Sequence, residues 1–315
     1  MKFAYLQHPN LPPTAHTETV LVQPNGSFFA FRQALRAWAK IEGREATGLT
    51  SQHFSRPDPL GFAMGNYKEV ADLLQKAEAA VGQTSEWAEC VYPADTPLLA
   101  PLPRPNRIFG IGRNYAEHAR ELGNAVPEDE PIVFLKGSET VVGPNAPIEI
   151  PENAGRVDFE GELLVVIGTG GKHIAESDAM KHIAGYSVFN DVTAREIQRA
   201  AQDKKRPWFI GKSLDTFGPL GPFLVTPDEI PDPHNLRLTL TVNGETRQND
   251  TTGSMIYSIP FLIAHLSRYF ALHPGDVIAT GTPSGVGPIV PGDTVTVTVE
   301  GVGTLSNPVI SVPSI

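Results

Sequence analysis

Three carboxylates sit at alternate positions in Val157-Asp-Phe-Glu-Gly-Glu-Leu-Leu164: Asp158, Glu160 and Glu162. If this segment runs into the apolar stretch Leu163–Ile167 as a strand, period-two alternation puts all three on one face. They then repel one another unless a cation lies between them. Hard oxygen donors suit Mg²⁺, Mn²⁺ or Ca²⁺ rather than zinc. The alternative is a solvated edge strand that uses charge against aggregation. A further carboxylate, Asp191, ends another apolar run (Tyr186-Ser-Val-Phe-Asn-Asp191), where it either helps complete a two-Glu, one-Asp donor set or is an ordinary turn residue.

His118 and Glu121 stand three apart, a helical spacing that lets a carboxylate orient an imidazole as a general base. An exposed pair on a helix surface has the same spacing. Lys136 and Lys212 are isolated lysines among apolar and glycine residues, placed to meet an anion or to snorkel from strand ends. Lys204-Lys-Arg206 reads as a solvated face. The turn Ile278-Ala-Thr-Gly-Thr-Pro-Ser-Gly-Val-Gly287 can offer backbone N–H groups to a carboxylate, or simply connect two strands.

The elements that must hold these groups are mostly short strands. Leu163–Ile167 and Ala184–Phe189 are buried runs; Leu236, Leu238, Leu240 and Val242 alternate into an Asn243-Gly244 hairpin turn; Asp293–Glu300 alternates again. Asn114–Gly123 reads as a short helix with Asn114 as N-cap and Glu117 completing a capping box. Thr193 and Glu196 form a second box opening a helix to about Gln202, and 253–270 is the longest amphipathic helix of this half. Upstream, strand-like pieces Lys2–Gln7 and Thr19–Val22 precede helical patterns at 31–42 and 67–80. Five prolines within 92–106 then mark a boundary. The reading is an α+β, β-rich chain: an N-terminal α+β module over 1–100 and a catalytic domain over 101–315.

The composition of the 315 residues narrows the function. A net charge of −10 disfavours nucleic acid, and a lone cysteine, Cys90, excludes an internal disulfide or a cysteine-rich zinc site. No apolar stretch suits a leader or a membrane span, so a soluble cytoplasmic protein is expected. Gly110-x-Gly112 between a strand and a helix imitates a dinucleotide fingerprint but lacks the third glycine. A nicotinamide-dependent oxidoreductase therefore stands as a weaker alternative.

Seven motifs in order, over about 97–310, resemble the fumarylacetoacetate hydrolase (FAH) family, in its bacterial acylpyruvate hydrolase and 2-hydroxyhepta-2,4-diene-1,7-dioate isomerase branch. They begin at Leu99-Ala-Pro-Leu-Pro-Arg-Pro, Gly110-Ile-Gly-Arg-Asn-Tyr-Ala-Glu-His-Ala, Val157-Asp-Phe-Glu-Gly-Glu-Leu and Asn190-Asp-Val-Thr-Ala-Arg-Glu. Gly211-Lys-Ser-Leu-Asp-Thr-Phe-Gly-Pro-Leu-Gly-Pro, Val242-Asn-Gly-Glu and Thr280-Gly-Thr-Pro-Ser-Gly-Val-Gly complete the set.

The resemblance implies the FAH fold, a rolled mixed β-structure, usually as a homodimer. It implies that Glu160, Glu162 and Asp191 bind one Mg²⁺ or Mn²⁺, with Asp158 outside that set. By the same resemblance His118 and Glu121 activate water from a lid helix, Lys212 and Gln198 meet the substrate or its enolate, and Gly281 and Thr282 bind its carboxylate. The implied activity is metal-dependent hydrolysis of a C–C bond in a small anionic 2-oxo (1,3-diketo) acid of the acylpyruvate type, as in aromatic catabolism. Isomerase or decarboxylase action on related acids is the alternative. A non-catalytic binding homologue is disfavoured, because ligands and dyad are both intact. The resemblance does not reach the first hundred residues.

Overall fold

The computed structural model describes residues 1–7, 17–30, 90–121, 123 and 129–314, together with Lys76 and Ala79. The helical pattern expected at 31–42, and all of that at 67–80 except Lys76 and Ala79, lie outside the described residues.

The centre of the molecule is the strand Gly161–Ile167, every residue of which is buried. A strand covered on both faces has no use for polar alternation, and this explains its continuous apolar text. It pairs antiparallel with Ile183–Asn190 on one side and with Val277–Ala279 on the other. Val277–Ala279 pairs in parallel with Ile108–Gly112, which in turn pairs antiparallel with Ile132–Lys136 at the sheet edge. Beyond Ile183–Asn190 comes Gly218–Val225, and the chain's first strand, Lys2–Gln7, joins it through Lys2↔Val225 and Phe3↔Leu224. The N-terminal strands thus extend the same sheet. Leu98–Leu99, within the proline-rich stretch, pairs with that first strand.

A second sheet of five strands, ordered Glu245–Thr251, Arg237–Val242, Thr294–Val299, Gly303–Val312 and Ile148–Pro151, packs on one face of the first. Leu163, Val165 and Ile167 meet its inner residues Leu238, Leu240, Val295 and Val297 in one core. Leu164 and Val166 point the other way and join Phe3 and Phe29 in another. This is the β-rich α+β architecture expected, with mixed sheets and, among the described residues, no repeated parallel βαβ units. Gly110 and Gly112 serve packing rather than a phosphate: a Cβ would meet the Phe134 ring at 2.2 Å at the first and Trp208 at 2.9 Å at the second.

The hairpin turn is as read, with Asn243 at φ 52° and Gly244 at φ 83° and Val242 paired with Glu245. The long helix is Ile259–Tyr269, capped by Ser258, whose hydroxyl accepts from the Phe261 N–H at 3.3 Å. Both capping boxes fail. The helix Arg195–Asp203 starts after Thr193, which lies in a short strand and donates its hydroxyl to the Asp191 carbonyl at 2.9 Å. Asn114 does not cap the helix Ala116–Glu121. Its buried amide donates to the carbonyls of Tyr257 (3.1 Å) and Thr280 (2.8 Å) and accepts from the Tyr257 N–H (2.8 Å). It therefore ties three segments together. Asn114→Ala leaves three buried backbone groups unpaired, and the expected cost is about 3 kcal/mol of stability in urea unfolding.

Candidate metal centre and active site

The pairing register builds the site. Gly161↔Asn190 and Glu162↔Phe189 are partners, so Glu160 and Asp191 stand just beyond the paired ends; the Asp191 N–H donates to the Glu160 carbonyl at 2.8 Å. Glu160, Glu162 and Asp191 are all buried, with one carboxylate oxygen from each within 4.8 Å of the others. Asp158 is elsewhere engaged. The chain leaves a short three-stranded sheet after Val157–Asp158 and enters the large one at Gly161. Asp158 is bound by Arg156 Nε at 2.6 Å and Arg195 Nε at 2.7 Å. The expected single face therefore splits: Glu160 and Glu162 join Asp191 in the donor set, while Asp158 is ion-paired.

Buried charge of this density needs cations. Lys212 Nζ donates to Glu160 Oε2 (2.7 Å) and Asp191 Oδ2 (2.5 Å); Lys136 Nζ donates to Asp191 Oδ1 (2.9 Å) and the Val192 carbonyl (3.1 Å). Both isolated lysines thus do meet anions. Arg195, which the sequence places only within a motif, is the hub: Nη2 reaches Glu160 Oε1 at 2.5 Å and Nη1 reaches Gln198 Oε1 at 2.7 Å. Lys204, Lys205 and Arg206 are exposed, as read.

The three ligand candidates are not electrostatically equal. Burial alone would raise the Glu160 pKa, but Lys212, Arg195 and His118 outweigh it and hold the carboxyl well below the ordinary range. Glu162 goes the other way: burial, then Asp191 and Glu160, push it well above the ordinary range, and Lys212 and the Gly281 amide only partly oppose. Its one hydrogen bond among the described residues is that amide, Gly281 N–H to Oε2 at 2.9 Å. Gly281 sits at φ 97°, and a Cβ there would meet the Asn114 Cβ at 2.8 Å, so only glycine brings this N–H to Glu162. A buried carboxylate held by one amide beside two others fits a hard divalent cation: oxygen donors from three side chains, with a charge deficit at Glu162.

The donor set forms the floor of a cavity of about 240 Å³ that His118, Gln198, Thr282, Phe134 and Trp208 also line. His118 is buried; Nδ1 has no hydrogen-bond partner and lies 3.8 Å from Glu121 Oε2. Glu121 instead accepts from the Gly285 N–H at 3.0 and 3.2 Å, joining the short helix to the glycine-rich turn. Burial lowers the His118 pKa below the ordinary histidine value; Glu160 opposes this, Arg195 and Lys212 add to it, and Glu121 weakly opposes. The ring is therefore neutral at neutral pH and able to accept a proton.

Thr282 lines the cavity, but its hydroxyl is committed, donating to the Gly161 carbonyl at 2.8 Å and accepting from Gln248 Nε2 at 2.7 Å. With the Gly281 N–H given to Glu162, this turn spends both groups on the scaffold. Gln248, which sequence reading passed over, also accepts from the Gly161 N–H at 3.0 Å. Its position in an exposed polar hairpin strand gives no sign of this.

A model of the family described as "Fumarylacetoacetate (FAA) hydrolase C-terminal" matches residues 107–310. The chain belongs to the fumarylacetoacetate hydrolase family. The mitochondrial oxaloacetate tautomerase fahd2 of Xenopus laevis is 47% identical over 262 residues, covering 80% of this chain and 80% of that protein. A crystal structure of 5-carboxymethyl-2-hydroxymuconate delta-isomerase from Mycobacterium smegmatis is 45% identical, with TM-score 0.63 over 70% of this chain and 85% of that one. Maleylpyruvate hydrolase from Sphingobium sp. SYK-6, solved with manganese(II) and pyruvate, is 27% identical, with TM-score 0.73 over 99% of both chains. This FAH-family chain therefore shares its fold with a hydrolase and an isomerase, and much of its sequence with a tautomerase.

Proposed function

We propose that this FAH-family protein is a divalent-metal-dependent enzyme that hydrolyses a C–C bond of an acylpyruvate-type 2-oxo acid. The observation that carries the reading is the cavity whose floor is three buried carboxylates and whose wall is a buried neutral histidine beside a glutamate. Glu160, Glu162 and Asp191 would hold Mg²⁺ or Mn²⁺; the manganese and pyruvate in the maleylpyruvate hydrolase structure support this. A metal so held supplies Lewis-acid polarisation of the 2-oxo acid's oxygens.

The chain's own residues supply the rest. His118, oriented by Glu121 once the 3.8 Å gap closes, takes a proton from water. The hydroxide adds to the distal carbonyl, the C–C bond breaks, and its electron pair passes to the enolate of pyruvate. Return of the proton from His118 to the enolate carbon gives pyruvate and a carboxylic acid. Lys212 stays protonated: burial would lower its pKa, but Asp191 and Glu160 raise it above the ordinary lysine value. Two of its three N–H donors hold carboxylates, which leaves one for the developing enolate oxygen. Gln198 commits its Oε1 to Arg195 and keeps its amide N–H groups for the substrate.

The same groups can move a proton between the keto and enol forms of an oxaloacetate-like acid. The 47% identity to an oxaloacetate tautomerase favours this as the second reading. One assay series separates the two: Mn²⁺- or Mg²⁺-loaded protein with acetylpyruvate, followed by pyruvate release, and with enol-oxaloacetate, followed by loss of enol absorbance. Pyruvate release that stops with EDTA and returns with metal is the expected result. Tautomerisation without release from any acylpyruvate would overturn the hydrolytic reading.

A homodimer forms part of the proposal. Leu135 on the edge strand, Phe209, Ile210, Tyr269 and Phe270 are exposed apolar side chains, and most of them rim one groove beside that strand. Among the described residues no helix is long and apolar enough to cross a membrane.

A further inference from the structure

The cations of the cavity divide into two groups. On the floor every cation holds at least one carboxylate. Arg195 serves Asp158, Gln198 and Glu160; Lys212 serves Glu160 and Asp191; Lys136 serves Asp191 and two backbone carbonyls. On the wall, Arg113 lines the same cavity and makes no hydrogen bond or ion pair among the described residues.

The placement of Arg113 is unusual in a second respect. It occupies the turn between the strand Ile108–Gly112 and the helix that carries His118, with φ at 57°. A long side chain seldom adopts the left-handed region, and it persists there only where its surroundings impose it. Here the next residue, Asn114, is pinned by three side-chain hydrogen bonds, which fixes the turn. The guanidinium is half-buried, and desolvation lowers its pKa from the ordinary value. A strained backbone and partial desolvation bring a cation to the cavity and leave it without a partner. The lining also includes three apolar residues, Ile111, Phe134 and Trp208.

We infer that Arg113 selects 2-oxo acids that carry a second carboxylate at the far end of the chain. This rests on the 2-oxo acid reading of the floor. An acid whose own carboxylate and oxo group lie at the carboxylate floor runs its carbon chain past the apolar lining. Its far end then meets Arg113, half-buried and without a hydrogen bond or ion pair among the described residues, with exposed Arg199 adding diffuse positive charge. Arg113 is the specificity-determining contact, made to a part of the substrate that does not react.

Two acids of equal length test this, because neither has a second carbonyl to cleave: 2-oxoadipate ends in a carboxylate and 2-oxohexanoate in a methyl. Calorimetric titration of the full chain in Mn²⁺ buffer is expected to show 2-oxoadipate bound about 10- to 100-fold more tightly, the range of one charge-assisted contact. Asparagine tolerates the left-handed backbone, so Arg113→Asn keeps the turn, and it is expected to bind the two acids within about threefold of one another. Arg113→Lys retains part of the preference, as a point charge without the fork. An unchanged preference in Arg113→Asn, or equal binding of both acids by the wild type, overturns the assignment of Arg113 alone. Failure of the wild type to bind either acid overturns the 2-oxo acid reading, and this inference falls with it.

Discussion

Glu160→Gln is expected to remove both metal and turnover. The carboxylate has three tasks: it supplies a donor to the three-oxygen set, it balances Lys212, and it balances Arg195. A neutral amide of the same shape keeps the volume but offers one oxygen where Lys212 and Arg195 use two. It also leaves two buried cations short of charge, the costly half of breaking a buried ion pair. Turnover should fall by about 10³-fold or more, as expected when an electrostatic centre is dismantled. Metal bound per chain, measured by elemental analysis after gel filtration, should fall with it. Unfolding will show a loss of about 3 kcal/mol or more if the pairing is as described. A variant that binds a full equivalent of Mn²⁺ and turns over normally would remove Glu160 from the donor set.

His118→Ala tests the other half of the site and has the opposite signature. His118 touches no member of the donor set through a hydrogen bond, and its Nδ1 has no partner to be orphaned. Metal content and folding should therefore stay near wild type, while acylpyruvate hydrolysis falls by about 10²- to 10⁴-fold, the usual scale for a lost general base. The pH dependence follows from the sign of the shift. A base works only when unprotonated, and burial lowers the His118 pKa from its ordinary 6.5. The acid limb of kcat/KM should thus lie below pH 6.5, and the enzyme should keep full basic function through neutral pH. An acid limb above that value, or an alanine variant with wild-type hydrolysis, would take the proton transfer away from His118.

The contrast between these two variants shows why part of the site was legible in the sequence. The carboxylates could be read because their type and spacing are local, and because Leu163–Ile167 is apolar enough to declare itself a buried strand. The fold class followed from the same local patterns, together with the resemblance. What stayed hidden were groups whose partners lie far along the chain. Asn114 has the composition of a helix cap, but its partners are Tyr257 and Thr280, 143 and 166 residues away. Thr193 and Glu196 fit a capping box, yet register places Thr193 in a strand and leaves its hydroxyl to the Asp191 carbonyl. Arg195 looked like one more helical arginine, because nothing local tells a buried guanidinium from a solvated one. Local propensity was overruled wherever the site needed a polar group for itself.

The turn at Thr280-Gly281 lies between two demands. On one side its N–H grips Glu162; on the other its carbonyl and its missing side chain accommodate Asn114, the residue that fixes the entry to the His118 helix. Donor set and base are in this way geared to a single backbone turn, and a change there is felt at both. Arg113, one residue before Asn114, carries no such linkage. The chemistry is thus locked by shared parts, while the contact inferred to choose the acid belongs to a side chain outside them.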